Sequence, residues 1–198
     1  TVTAQQKKPA CEPHKWEFKA RFRRHAFGWK SQPAITRIKQ AVAEIKAVAK
    51  KEPVVAAEGA VVFLERLSPA LEHVDSSSGS IGTAVTHAIT ELVPILVNAP
   101  ADAKKREAWL ERLFEAHAAD QIPYIERLAD YWGELCASKE VASVWVDRLI
   151  AVTRMALSPS KDLRGYFHGA SACLSALYRA ERHDELIALL NGERLLWD

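Results

Sequence analysis

SQPAITRIKQAVAEIKAVAKKEP, residues 31–53, decides the fold. Ile35, Ile38, Val42, Ile45 and Val48 recur at intervals of three and four, which lays one apolar stripe along a helix and does not suit the alternation of a half-buried strand. Ser31 is placed to cap this helix, Pro33 fits its first turn, and Pro53 ends it by excluding helical geometry at Glu52. The same period continues downstream. A second helix is expected through Val55, Val62, Leu64 and Leu67, broken or kinked at Ser68-Pro69 before a short piece with Leu71 and Val74. After the polar turn Asp75–Gly79, a third carries Ile81, Val85, Ile89, Leu92 and Ile95 and closes at Asn98-Ala99-Pro100. Asp102 caps a fourth through Leu110, Leu113 and Phe114; Pro123 opens a fifth with Ile125, Leu128, Trp132 and Leu135 on one face. Ser138 caps a sixth with Val141, Val144, Trp145, Leu149 and Val152. Ser158-Pro159-Ser160 and Gly165 punctuate the chain before a seventh with Cys173, Leu174 and Leu177, and an eighth runs from about Asp184 to Leu190. No period-two run bounded by hairpin turns intervenes, so the expected class is all-α.

Of 198 residues, 32 are Ala, 19 are Leu and only 8 are Gly, with 48% apolar, which excludes disordered and collagen-like chains. Ala-rich faces let helices approach closely, and wide stripes suit helices packed on both sides. Both favour an irregular helical-repeat architecture (TPR/HEAT-like), a right-handed stack of about eight helices over residues 31–198, rather than a simple bundle. The apolar Leu195-Leu196-Trp197 end reads as a repeat array cut short, because terminal repeats normally present a polar outer side. The missing initiating Met fits either a fragment or ordinary Met removal. Cys11, Cys136 and Cys173 are too few, and odd in number, for a disulfide framework. With no apolar leader at the N-terminus, and Pro94 interrupting the longest uncharged apolar run (Leu92–Val97), a soluble cytoplasmic protein without a membrane partner is expected.

Charge divides the chain. Residues 1–30 carry eight Lys/Arg against Glu12 and Glu17, a balance of +6, and the remaining 168 residues carry −4. In this basic head Trp16, Phe18, Phe22, Phe27 and Trp29 interleave with Lys15, Lys19, Arg21, Arg23, Arg24, His25 and Lys30. Cations neutralise phosphates and aromatic faces stack on unpaired bases, so Lys19, Arg21, Arg23, Arg24 and Trp29 form a nucleic-acid-binding alternative. Against it stands a plainer expectation, that the aromatics pack onto the first helices while the cations stay in water.

None of the chemical motifs below is complete in the sequence. Cys11-Glu-Pro-His14 is half a zinc site, but Cys136 and Cys173 sit alone in helices and supply no second pair, so no metal is expected. Glu-x-x-His, His-Glu-x-x-His, Gly-x-Ser-x-Gly and a phosphate loop are all missing from the sequence. Ser76–Gly82 lacks the lysine a phosphate cradle would use and reads as a helix–helix turn. Glu107, Glu111 and Glu115 share one face of the fourth helix beside Arg106 and Arg112, a pattern that suits a solvated charged face better than acid–base work. Asp130, Tyr131, Trp132 and Glu134 read as core with a polar edge. His117, His168 and His183 have no evident nucleophile, and Cys173 lies among Ala172, Leu174 and Ala176, an inert setting. No enzyme activity and no cofactor are expected.

Residues 172–190, ACLSALYRAERHDELIALL, resemble a tetratricopeptide-type helical hairpin that turns at Ala180-Glu181-Arg182 and reopens at Asp184-Glu185; no second copy appears at a 34-residue period. The stretch from Phe22-Arg-Arg-His-Ala-Phe-Gly-Trp-Lys-Ser-Gln-Pro33 through Asp130-Tyr-Trp-Gly-Glu134 is similar to a group of uncharacterised bacterial proteins with helical-repeat bodies. That resemblance implies the fold and a bacterial cytoplasmic setting, and implies no activity. The expected function is therefore an interaction or scaffold module that binds a protein or peptide partner. Tyr124, Tyr131, Tyr178 and Arg179 are its expected anchors, being large polar-aromatic or cationic groups near helix edges. The apolar end also leaves room for a homo-oligomer.

Overall fold

The stripe of residues 31–53 forms one helix among nine in the described part of the chain. The computed structural model describes residues 14–157 and 167–194, all-helical with no strand among them. A single turn α1 (Phe18–Arg21) precedes α2 (Ser31–Ala49), α3 (Pro53–Leu71), α4 (Ser80–Asn98) and α5 (Ala103–Ala118). A 3-10 segment, Glu126–Tyr131, then leads into α6 (Trp132–Cys136), followed by α7 (Lys139–Ala156), α8 (Ala170–Arg179) and α9 (His183–Arg194).

Two caps fall where the residues demand them. The Asp102 carboxylate accepts the Lys105 N–H at 2.7 Å and the Ser138 hydroxyl accepts the Val141 N–H at 3.3 Å. The turn at Ala180-Glu181-Arg182 also stands as read, with Glu181 in left-handed backbone (φ 58°) and its carboxylate 2.5 Å from Lys139 Nζ.

Four expectations are corrected. Lys30, in extended backbone, occupies the cap of α2, and Ser31 is already helical. Ser68-Pro69 does not break α3, which runs on to Leu71; Pro69 lies in the last turn, and its carbonyl, one of the helix-end acceptors, receives the His25 N–H at 3.0 Å. The fifth helix does not start at Pro123. Leu128, Ala129, Trp132, Leu135 and Cys136 are all buried, and a segment this short adopts the 3-10 winding that packs them against α8. On α7, Val144 and Val152 are exposed while Ala142, Val146 and Ile150 are buried, so the stripe is rotated from its expected face. The Ser158–Gly165 punctuation, the Leu195–Trp197 end and Cys11 lie outside the described residues.

The helices pack in two rows. In the even row α2 packs on α4, α4 on α6 and α6 on α8. In the odd row α3 packs on α5, Phe114 of α5 meets Trp145 of α7 with ring centroids 5.3 Å apart, and Arg154 of α7 pairs with Glu185 of α9 at 3.6 Å. The rows also touch each other, most extensively where α2 meets α3, α3 meets α4 and α7 meets α8. By length and composition α4 could cross a bilayer (mean hydropathy 1.4), but Ile81, Val85, Ile89, Leu92 and Leu96 are buried where it meets α2, α3 and α6.

The α6–α8 approach depends on Gly133. A Cβ there would lie 2.3 Å from the Ser175 carbonyl oxygen, a backbone atom that cannot step aside, and the Gly133 N–H already donates to Ser175 Oγ at 2.9 Å. Gly133→Ala is expected to cost about 2 kcal/mol through forced separation of the two helices, read as a lowered urea midpoint with unchanged slope.

Candidate functional site

The two rows present different surfaces. Across the odd row, arginines tie each helix to the next. Arg112 of α5 clasps Glu65 of α3 through two N–H···O bonds of 2.7 and 2.6 Å and also bonds Glu58. Burial opposes ionisation of Glu58, but donation from Arg112 and from Trp109 Nε1 (2.7 Å) holds its carboxyl below the usual range. Arg148 of α7 bonds Glu107 at 2.7 Å and also Glu111, both on α5. Arg182 bonds Asp147 of α7 at 2.6 Å and Glu185 of α9 at 2.5 and 2.9 Å. These pairs are largely exposed and each contributes only about 0.2–1 kcal/mol; their effect is to set the spacing of the row and occupy its polar groups. Glu107, Glu111 and Glu115 are all exposed, as expected of a solvated charged face, and the first two also meet Arg148. Arg106, read beside them, points into the protein instead.

The even row carries two clefts between neighbouring helices. A groove of about 430 Å³ runs between α2 and α4, floored by Ile38, Val42 and Ala88, with Ala43, Ala47 and Ala84 at its lip. Lys39, Lys46 and Lys50 form the α2 wall; His87 and Glu91 form the other, with Glu91 bonded to Lys46 and 2.8 Å from His87. A second cleft of about 400 Å³ lies between α6 and α8 and is polar: Asp130, Glu134, Lys139, Ser175, Tyr178, Arg179, Glu181 and His183.

Tyr178 (70% exposed) and Arg179 both line that second cleft, with Arg179 donating to the Ala137 carbonyl at 2.7 Å. Tyr131 is half-buried against the core beside it. Tyr124 stands apart, because it is buried and its hydroxyl has no protein partner. Of the four expected anchors, two share one cleft.

In the basic head, Trp16, Phe18, Phe22 and Phe27 are buried, and only Trp29 keeps its ring in solvent, 72% exposed. Glu44 of α2 accepts the Glu17 and Phe18 N–H groups at 2.8 and 3.2 Å, and Arg66 of α3 donates to the Phe22 carbonyl at 3.3 Å. Lys19, Arg21, Arg23 and Arg24 are exposed, Arg24 being 3.3 Å from Glu72 and Arg21 donating to Gln40 at 3.3 Å. Arg21 and Arg23 share a shallow pocket of about 450 Å³ with Arg37, whose guanidinium sits 5.0 Å above the Phe27 ring.

A charge pattern missed in the sequence becomes visible once α2 lies beside the head. Residues 14–51 hold eleven Lys/Arg and two acids, a balance of +9, whereas residues 52–198 hold 14 and 22, a balance of −8. The basic region does not end at residue 30; it runs through the exposed face of α2.

A buried polar cluster was also missed. Asp120 bonds Ser68 and accepts the Ile125 N–H at 2.7 Å, and burial raises its pKa. His117 is buried, its ring 5.9 Å from that of His168, and burial lowers its pKa, so it is neutral at pH 7. An unfolded histidine titrates near 6.5, so below that pH the unfolded chain binds more protons than the folded one. Stability should be level above about pH 6.5 and fall as pH drops toward the lower folded value, by at most about 1.4 kcal/mol per pH unit. Urea titrations across pH should show this slope reduced in His117→Gln. Burial also raises both described thiols, Cys136 to about 12, so they stay protonated at neutral pH.

No protein-family model, curated protein or solved structure matches the chain.

Proposed function

We propose that the chain is a cytoplasmic, non-enzymatic docking module of the tetratricopeptide/HEAT-like kind. In this reading the helices stack in a right-handed sense and hold a protein or peptide on the even row. One observation carries the reading: arginine–carboxylate ties bridge successive helices of the odd row, while the even row keeps two grooves between neighbouring helices. Stacked hairpins commonly bind through such a face, with a few aromatic or Arg anchors.

A random-peptide display selection against the full chain tests it. Selected peptides should lose binding to Ala47→Arg or Tyr178→Ala and keep it with Val152→Ser on the odd row. Peptides indifferent to both even-row variants would overturn the reading.

The +9 balance of residues 14–51 favours a second reading, nucleic-acid binding through phosphate contacts. With four of the five head aromatics buried, base stacking is left to Trp29. Anisotropy titrations with duplex and single-stranded DNA should then show affinity falling steeply with salt and lost in an Arg21→Glu/Arg23→Glu/Arg37→Glu variant; salt-independent or absent binding excludes it.

A further inference from the structure

We infer that the α2/α4 groove receives an acidic amphipathic helix from a partner protein. This deepens the docking reading and rests on it.

The groove combines an apolar trough with cationic ends. Ile38, Val42 and Ala88 are almost fully buried in its floor, and the four alanines Ala43, Ala47, Ala84 and Ala88 leave room where larger side chains would close the helices' outer seam. A helix laid along the trough could place one or two aliphatic side chains there, the usual mode of helix-in-groove recognition. Lys39 and Lys50 stand at its two ends, about 16 Å apart along α2. Between them Lys46 is engaged by Glu91, so the charge that awaits a partner is at the ends.

Complementarity decides the sign of the partner. The α2 wall of the groove belongs to the segment of +9 balance and α4 adds only Glu91, so the field there draws an anionic surface and repels a cationic one. Nucleic acid would satisfy the lysines but leave the trough unfilled, because a phosphodiester backbone has no aliphatic group to insert. A second copy of this chain is the other acidic source, and the test separates it.

The probe is a labelled four-turn peptide with Leu along one helical stripe and Glu on the opposite face, titrated against the full chain by anisotropy at low and moderate salt. Its controls are the same composition with the Leu positions scattered, and the striped peptide with Lys in place of Glu. Binding of the striped acidic peptide is expected, with a loss of about tenfold or more on scattering Leu, in Lys39→Glu/Lys50→Glu, and in Ala47→Glu. Val152→Glu, on the odd row, should bind as the parent, and circular dichroism should show every variant folded. Equal binding of the scattered peptide would make the contact purely electrostatic and overturn the proposal. So would tighter competing binding of duplex DNA, or retained affinity in the folded groove variants. Concentration-dependent self-association abolished by Lys39→Glu/Lys50→Glu would overturn it in favour of a second copy. If the probe fails while display-selected peptides still depend on Tyr178, the docking reading survives without this occupant; if both fail, both fall.

Discussion

Arg106→Met should lower the free energy of unfolding by about 4 kcal/mol. Arg106 is only 6% exposed and meets no carboxylate. Its guanidinium donates to the Leu96 carbonyl at 3.1 Å, Val97 at 3.3 Å and Ala99 at 2.9 Å, which close α4, and to Leu135 of α6 at 3.2 Å. The last carbonyls of a helix have no partner within it, and they carry the negative end of its dipole. One cation therefore satisfies the ends of two neighbouring helices of the even row. Methionine fills a similar volume but strands these acceptors in a site too enclosed for water to replace the donor fully. Burial lowers the Arg106 pKa without any prospect of neutralising an arginine, so the charge stays and the carbonyls balance it. Urea unfolding followed by circular dichroism measures the loss, and Arg106→Lys should recover only part of it because an ammonium cannot span four acceptors. A change below 1 kcal/mol would mean that Arg106 does not bridge α4 and α6.

Phe22→Ala should cost about 3–5 kcal/mol, against less than about 0.5 kcal/mol for the exposed Trp29→Ala. The Phe22 ring is 1% exposed and contacts Phe18, Phe27 and Phe63 edge-on at centroid distances of 6.1, 5.1 and 5.2 Å. Truncation leaves a cavity that neighbours held by α2 and α3 cannot fill. By the same reasoning, a chain beginning at Ser31 uncovers Phe63 and Gly59, on which the Trp16 ring sits, and should unfold at a lower urea concentration. Removing the head is therefore a poor control for nucleic-acid binding, and charge reversal of its arginines is the better one. Equal, small effects of Phe22→Ala and Trp29→Ala in urea titrations would show that the head does not pack.

Local chemistry made much of the fold legible. The stripes of α2 and α4, the Asp102 and Ser138 caps and the turn at Ala180–Arg182 depend on residues close in sequence, whose spacing and capping groups act over one or two helical turns. Where burial comes from two sides, that spacing loses its meaning. On α7 the spacing places Trp145 and Leu149 on the buried face but also puts Val144 and Val152 there, which are as apolar as the buried Val146 and Ile150. Pro69 carries a local stop signal, yet α3 continues through it for two more residues to Leu71. Of the candidate anchors, Tyr178 and Arg179 share a cleft, while Tyr124 is buried; no property of a lone tyrosine separates those outcomes.

Composition and periodicity thus determined that the chain is helical, where most helices begin and end, and that its N-terminal part is basic. Only the tertiary structure decided that the head aromatics join the core, that the basic surface continues along α2, and that Arg106 turns inward while Arg112 turns to the odd row. Helix formation and capping are set by near neighbours. Which face is buried, and which charge finds a partner, depends on helices distant in sequence that enclose the site in space.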